Sequence, residues 1–289
     1  MEAGQRGLGN ARQPEIGDYG LIGDTRTAAL VSGAGAIDWM CVPSFDGEPV
    51  FGRLVGGPEA GTFRLGPAAP AAPIERRYHP ETATLETTWA VGEGTLVLTD
   101  AMVAEVRGQL LPATLLVRRL TAVGQPVEAV VEFDPRLGER HVRPRVRSGP
   151  SLVCEWGPLA LGLGSDPELS IEPGTPASFL VTPESPVTLV LAVAYGEPLV
   201  HVQPGAAVEL LAADEDLWRA WSAEIDGGTP YRDAVVRSLL TLRLLTYSPS
   251  GAPVAAPTTS LPEFPGGMAG LRRKHAGPRG QRRRHAASA

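Results

Sequence analysis

Lysine is almost missing from this 289-residue sequence: Lys274 alone stands against 25 arginines. Cysteine is nearly as scarce, with Cys41 and Cys154 lying 113 positions apart. That spacing fits neither a zinc site nor a redox motif and excludes a disulfide scaffold, so two buried thiols are the expectation. Charged residues supply only 20% of the chain, too few for a coiled coil. Long hydrophobic runs are also absent. The longest, Leu189 to Tyr195, is far short of the roughly 20 residues a bilayer-crossing helix needs. Met1 to Gln13 is polar and glycine-rich and lacks an apolar signal core. These absences predict a soluble, cytoplasmic protein with no membrane partner.

The familiar catalytic motifs are missing too. There is no G-x-S-x-G elbow, no phosphate-binding G-x-x-x-x-G-K-[ST] and no H-E-x-x-H. Gly33-Ala34-Gly35 and Gly162-Leu163-Gly164 lack the third glycine of a dinucleotide loop and read as turns. His79, His141, His201, His275 and His285 are scattered, with no i, i+4 pair to hold a metal on one helix face. No metal and no organic cofactor is expected. The formal charge is −6, and seven of the basic residues fall within Met268 to Ala289, which holds no acid. The remainder therefore carries 19 basic against 32 acidic residues, a balance that disfavours nucleic acid as a partner. The basic tail has no aromatic residue for stacking bases and reads as solvated and disordered.

What is present is turn-forming and β-forming material. Glycine (34) and proline (28) are abundant, and hydrophobic residues make up 43%, enough for a real core. Apolar Ala28 to Val31 and Ala36 to Val42 flank a glycine pair and predict a hairpin that Pro43 terminates. The pattern repeats around Gly92-Glu93-Gly94 and around Gly124-Gln125-Pro126. Further strands are expected at Gly61 to Leu65, Ser151 to Trp156, Ala160 to Leu163, Ser178 to Thr182 and Val187 to Tyr195. Short strands at this spacing predict a mainly β fold, a sandwich of two antiparallel sheets.

Near Ala212 the period changes. Leu217, Trp218, Trp221 and Ile225 share one helical face, with Asp214 as the expected N-cap. After Gly227-Gly228, Pro230 suits the first turn of a second helix. Its apolar stripe, Val235, Val236, Leu239, Leu240 and Leu242, is wide enough to demand a large packing partner. That partner is either absent from this chain or the sandwich itself.

Two residue types could serve a sugar. Asp18, Asp24, Asp38 and Asp46 cluster in the best-defined region and could hydrogen-bond hydroxyls from loops, although turn and cap duty is the commoner use of Asp. Of the five tryptophans, Trp89, Trp156, Trp218 and Trp221 sit where core packing explains them. Trp39 precedes a proline-rich loop and is the one weighed equally as a stacking platform.

Ile16-Gly17-Asp18-Tyr19-Gly20-Leu21-Ile22-Gly23-Asp24, Thr27 to Val31, and Gly35-Ala36-Ile37-Asp38-Trp39-Met40-Cys41-Val42-Pro43 with Phe45-Asp46 resemble a known module. It is the trehalase-like N-terminal domain of bacterial glycoside hydrolase family 15, the glucoamylase and trehalase family. The likeness extends through Arg77-Tyr78, Thr99-Asp100 and Phe133-Asp134-Pro135, and returns at Arg232 to Tyr247 and Ala255 to Glu263. The resemblance implies a β-sandwich, a helical linker and then an (α/α)6 barrel that hydrolyses α-glucosidic bonds with inversion. A pair of glutamic acids serves there as general acid and general base.

On that pattern residues 1–15 are a disordered start, 16–210 the sandwich and 211–226 the linker helix. Residues 230–267 are the start of the barrel and 268–289 the basic tail. Trp39, Phe45, Asp46, Ser260 and Glu263 are the candidate substrate-lining residues, and the substrate class is an α-glucoside or trehalose. After Gly266-Gly267 the likeness stops, in a switch to Arg, Ala, Gly and Pro such as an out-of-frame reading of a GC-rich gene would produce. Neither catalytic glutamate has a matching position, so no catalytic residue is assigned. Three readings follow: the N-terminal portion of a family 15 hydrolase, inactive alone; a stand-alone α-glucan-binding sandwich; or a truncated remnant that self-associates through the exposed face of the 230–247 helix.

Overall fold

The computed structural model describes residues 14–106, 109–110, 113–149, 151–225, 228 and 230–258. In chain order the first strands are β1 (Gly20–Gly23), β2 (Ala28–Val31), β3 (Ala36–Val42) and β4 (Glu48–Phe51). A one-turn helix, α1 (Arg53–Gly56), precedes β5 (Thr62–Pro67), β6 (Glu75–Tyr78), β7 (Leu85–Val91) and β8 (Gly94–Met102). The short β9 (Glu105–Val106) and β10 (Gln109–Leu110) pair with each other ahead of β11 (Thr114–Val123) and β12 (Val127–Asp134). Then come β13 (Arg145–Arg147), β14 (Leu152–Trp156), β15 (Leu159–Asp166), β16 (Ala177–Val181) and β17 (Val187–Tyr195). Two helices, α2 (Pro204–Ala223) and α3 (Arg232–Leu244), and the small hairpin β18 (Thr246–Tyr247) with β19 (Ala252–Pro253) complete the described elements.

The strands build two antiparallel sheets, the sandwich that the strand spacing predicted. One runs β1-β2-β3-β5-β12-β16, with β4 added beside β3; the other runs β13-β14-β15-β17-β11-β8-β7-β6. Alternation does the work: in β8, Leu96 and Leu98 face inward and are fully buried, while Thr95, Val97 and Thr99, which alternate with them, are only partly covered. The inner faces meet around Phe51, Phe63 and Phe133, whose ring centroids lie 5.1 to 6.0 Å apart. Trp89 belongs to the same core, as expected, and donates its indole N–H to Gly33 O at 3.1 Å. Cys41 and Cys154 are both buried and are not joined in a disulfide, and burial pushes the Cys154 thiol up to about 12.

One polar group crosses this core. The Arg118 guanidinium, completely buried, forks onto both oxygens of Asp100 at 2.7 and 3.2 Å and donates to the carbonyls of Phe63 and Gly35 on the facing sheet. Its Cζ lies 4.7 Å from the Phe63 ring centroid. A buried charge is tolerable only when paired and hydrogen-bonded, and this one is both.

β17 is buried on both faces because α2 covers the outer one, which accounts for the unbroken apolar run in its sequence. Ala207 and Leu211 of α2 pack on Val117, Val190 and Ala192 there. α3 follows, with Val236, Leu240 and Leu244 buried against Ala83, Ala104 and Trp218.

Two expectations change. The Gly124-Gln125-Pro126 turn does not close a hairpin: β11 pairs with β8 and β17, whereas β12 pairs with β5 and β16 in the opposite sheet. Local alternation is the same for a hairpin and for a crossover between sheets, so only the distant partners decide. The first helix starts at Pro204 rather than near Ala212, because Pro204 at its first turn and the following alanines and leucines suit a helix. Asp214 is therefore no N-cap. It sits mid-helix, 3% exposed, and accepts hydrogen bonds from Ala104 N–H at 3.0 Å and the Trp218 indole at 2.9 Å.

Candidate functional site

Three segments far apart in sequence meet at one corner of the sandwich. The β1–β2 turn is organised by Asp24, a buried carboxylate that accepts from Arg26 N–H (2.9 Å), Thr27 N–H (2.8 Å) and the Thr114 hydroxyl (2.8 Å). Burial raises the Asp24 pKa, and those donors oppose the rise. The turn it holds places Thr25 at φ +65°, a left-handed conformation that costs a threonine energy and marks an imposed geometry. The Pro43–Gly47 loop is tied to this turn through Phe45 N–H to Arg26 O at 3.0 Å.

The segment after α3 lands on both loops. Ser248 N–H donates to Thr25 O at 2.9 Å, and the Tyr247 ring meets Phe45 edge-on at 6.4 Å and 75°. Trp39, in the middle of β3, donates its indole N–H to Pro257 O at 2.9 Å across 218 positions of sequence. Beside it Asp38 is buried, accepting from the Tyr19 and Thr62 hydroxyls at 3.0 Å each. Burial raises the Asp38 pKa, and burial followed by the Asp38 charge drives that of Tyr19 well above the phenol range. Two hydroxyls near the contact, Thr25 Oγ1 and Ser248 Oγ, are buried with no hydrogen-bond partner among the described residues.

The sequence candidates therefore divide. Trp39, Phe45 and Asp46 all belong to this corner, but Trp39 and Phe45 are 1% and 2% exposed, and neither offers a ring face to a sugar. Asp46 is exposed and accepts from the Ser44 hydroxyl at 2.6 Å. Ser260 and Glu263 lie outside the described residues. Asp18 accepts from Glu15 N–H in a short 3-10 turn, which is the cap duty weighed against a sugar role. Sequence reading missed Thr25, Tyr247 and Ser248. The signal for them was weak, since Thr and Ser carry no periodicity and Tyr247 merely follows a helix.

A second polar cluster fastens the helices to the β6–β7 turn. His79 Nδ1 lies 2.7 Å from Glu215 of α2, and its Nε2 lies 3.4 Å from Glu86 of β7. Arg219 pairs with Glu215 and Arg77 with Glu86, each at 2.7 Å. The hydrogen bond to Glu215 raises the His79 pKa against burial, with Glu86 assisting. Burial alone would raise Glu215, but His79, Thr84 and Arg219 pull it down to about 2. Arg232 pairs with Glu81, and Arg237 bonds Thr82 O while lying 4.1 Å over the Tyr78 ring. Every ionised group here has a partner, which is the signature of a clamp rather than of a poised acid or base.

Among the described residues no group of three or more His, Cys, Asp or Glu could hold a metal, and no helix is long and apolar enough to cross a membrane. Two shallow cavities of about 60 and 70 Å³ lie beside β15, and Glu168 is the one carboxylate lining them. Neither approaches the roughly 300 Å³ of a small-molecule site.

The described fold is an antiparallel sandwich with two trailing helices, and the sequence places it in a family. Residues 5–153 match the model of that family, "Trehalase-like, N-terminal", and the chain belongs to it. Along 88% of its length it is 32% identical to a trehalase of Mycolicibacterium smegmatis, and 32% identical over the same share to a trehalase of Mycobacterium tuberculosis. A Thermoplasma volcanium trehalase is 28% identical, again over 88% of this chain. The chain spans 41% of the length of each of these relatives.

Proposed function

We propose that this chain is the N-terminal portion of a family 15 glycoside hydrolase of trehalase or glucoamylase type, an inverting α-glucosidase whose substrate is trehalose or a related α-glucoside. The observation that carries this reading is 32% identity over 88% of the chain to trehalases, running through both helices and not merely the sandwich. In this reading α3 is the first helix of the catalytic barrel. The corner at Thr25, Asp46 and Ser248 is then part of the rim against which the sugar pocket closes.

Inverting hydrolysis needs a general acid and a general base on opposite sides of the sugar bond, about 6.5–9.5 Å apart. In this reading both glutamates belong to the barrel, and the 289-residue chain by itself supplies the rim and not the acid–base pair. Purified chain incubated with trehalose or maltose is expected to release no glucose. Glucose release above a heat-killed control would overturn the reading.

A second reading, in which the sandwich binds α-glucan by itself, rests on exposed Asp46 in the loop that Phe45 ties to the β1–β2 turn. Titration with maltooligosaccharide, followed by tryptophan fluorescence, decides it. A saturable change supports binding, and a flat trace to saturation removes it. Self-association through exposed Val235 and Leu242 of α3 is likewise a proposal, checked by sedimentation.

A further inference from the structure

Burial leaves Trp39 no ring face with which to stack on a sugar. The same observation raises another question: why place the one polar atom of a buried indole against a carbonyl 218 positions away? A buried indole N–H must find an acceptor, and many would be closer in sequence. Here the acceptor is Pro257 O, and proline at that position leaves no N–H to tie its own backbone into a ladder.

Among the described residues the segment has few other holds. Hairpin β18–β19 has only two residue pairs, and Val254 N–H to Leu245 O at 2.8 Å closes it onto the end of α3. A two-stranded hairpin of that size is not stable by itself in water. Its order must come from the sandwich, and the sandwich touches it through the Phe45–Tyr247 ring contact, the Thr25–Ser248 backbone bond and the Trp39–Pro257 bond. The first two hold its near end. Trp39 alone of these three reaches its far end.

We propose that Trp39 is a positioning residue, whose indole N–H fixes residues 252–258 on the sandwich corner. Its functional meaning rests on the reading of this corner as the rim of a sugar pocket: the sandwich would shape the pocket by holding a strand of its edge, without touching sugar through Trp39. The neighbouring polar groups support the assignment. Asp38, with Tyr19 and Thr62, pins β3 next to Trp39, and Asp24 holds the turn whose Thr25 carbonyl accepts from Ser248 N–H.

The test begins with the unmodified 289-residue chain, labelled with 15N at the indoles. Among the five tryptophans, the Trp39 Nε1–H should give a resonance protected from exchange with water. A Trp39 indole exchanging as freely as an exposed one overturns the proposal, with no variant required. Trp39→Phe then keeps an aromatic ring and deletes the N–H. Loss of one net hydrogen bond predicts a roughly fivefold faster amide exchange at Ala252 and Val254. Exchange in β8 and β11 should not change. Equal acceleration throughout the sheets would mean that Trp39 is merely core, and that result also overturns the proposal. Failure of the pocket reading looks different: glucose release from trehalose would remove that reading while leaving the protected indole and the loosened 252–258 segment in place.

Discussion

The interior of the sandwich and the flank that carries the helices are held by different physics. Between the sheets most contacts are apolar, and the buried ion pair of Arg118 with Asp100 has its hydrogen bonds made inside the protein. On the flank, α2 and α3 meet the β6–β7 turn through partly exposed ion pairs and carbonyl caps, with a small apolar cluster around Trp218 beneath. Burial of apolar area varies little with pH or salt, whereas half-exposed charges respond to both. The sandwich is the fixed body, α2 is anchored on it through Ala207 and Leu211, and the polar contacts at the β6–β7 turn are the part of the attachment that solution conditions can tune.

The sharpest way to break the comparison is inside the core. Arg118→Leu strands the Asp100 carboxylate between the sheets and is expected to cost about 3–5 kcal/mol, read from urea unfolding. Adding Asp100→Leu should recover much of that loss, since removing both charges leaves nothing unpaired. No recovery would mean that the pair does more than satisfy itself.

Asp214→Ala comes next. It leaves the Ala104 amide and the Trp218 indole without their acceptor, for an expected loss of about 2 kcal/mol. Loss of far-UV helix signal before sheet signal would place the damage on the flank.

A smaller effect belongs to His79, and it depends on pH. Its folded pKa is raised above 6.5, so its contribution is full below 6.5 and fades as pH rises through the raised value. Glu215 falls from 4.5 to about 2, so its contribution is full above 4.5 and is lost as pH drops toward 2. The clamp is strongest between 4.5 and 6.5. The melting temperature of His79→Gln should therefore trail the parent most in that window and approach it as pH climbs. A constant gap across pH would show that the pair is mere packing. The smallest effect is expected from Asp46→Ala, which removes an exposed loop carboxylate and should shift stability by no more than about 0.5 kcal/mol. Any larger loss would make Asp46 part of the fold.

Much of the fold was legible because it is written in periods. Leu96 and Leu98 alternate with polar or half-covered neighbours, and such alternation means a half-buried strand wherever it falls. The β13 strand, Arg145–Arg147, was not legible, since three exposed residues at a sheet edge bury nothing and carry no pattern. Asp214 was misread because a short carboxylate that seeks N–H groups looks alike whether those groups belong to a helix end or to a strand next door. At the site, the Asp24 to Asp46 region stood out in the sequence, but the sense of Trp39 did not. Stacking and positioning use the same side chain, and burial separates them.

Taken alone, the sequence determined which stretches extend, which coil and where the chain must turn, because those choices depend on residues within a few positions of one another. It also carried the family likeness in its N-terminal blocks. Only the tertiary structure decided that β11 and β12 part into opposite sheets, that Arg118 bridges them and that Trp39 reaches Pro257. Each of those depends on groups brought together by long-range packing, whose energy no local window contains.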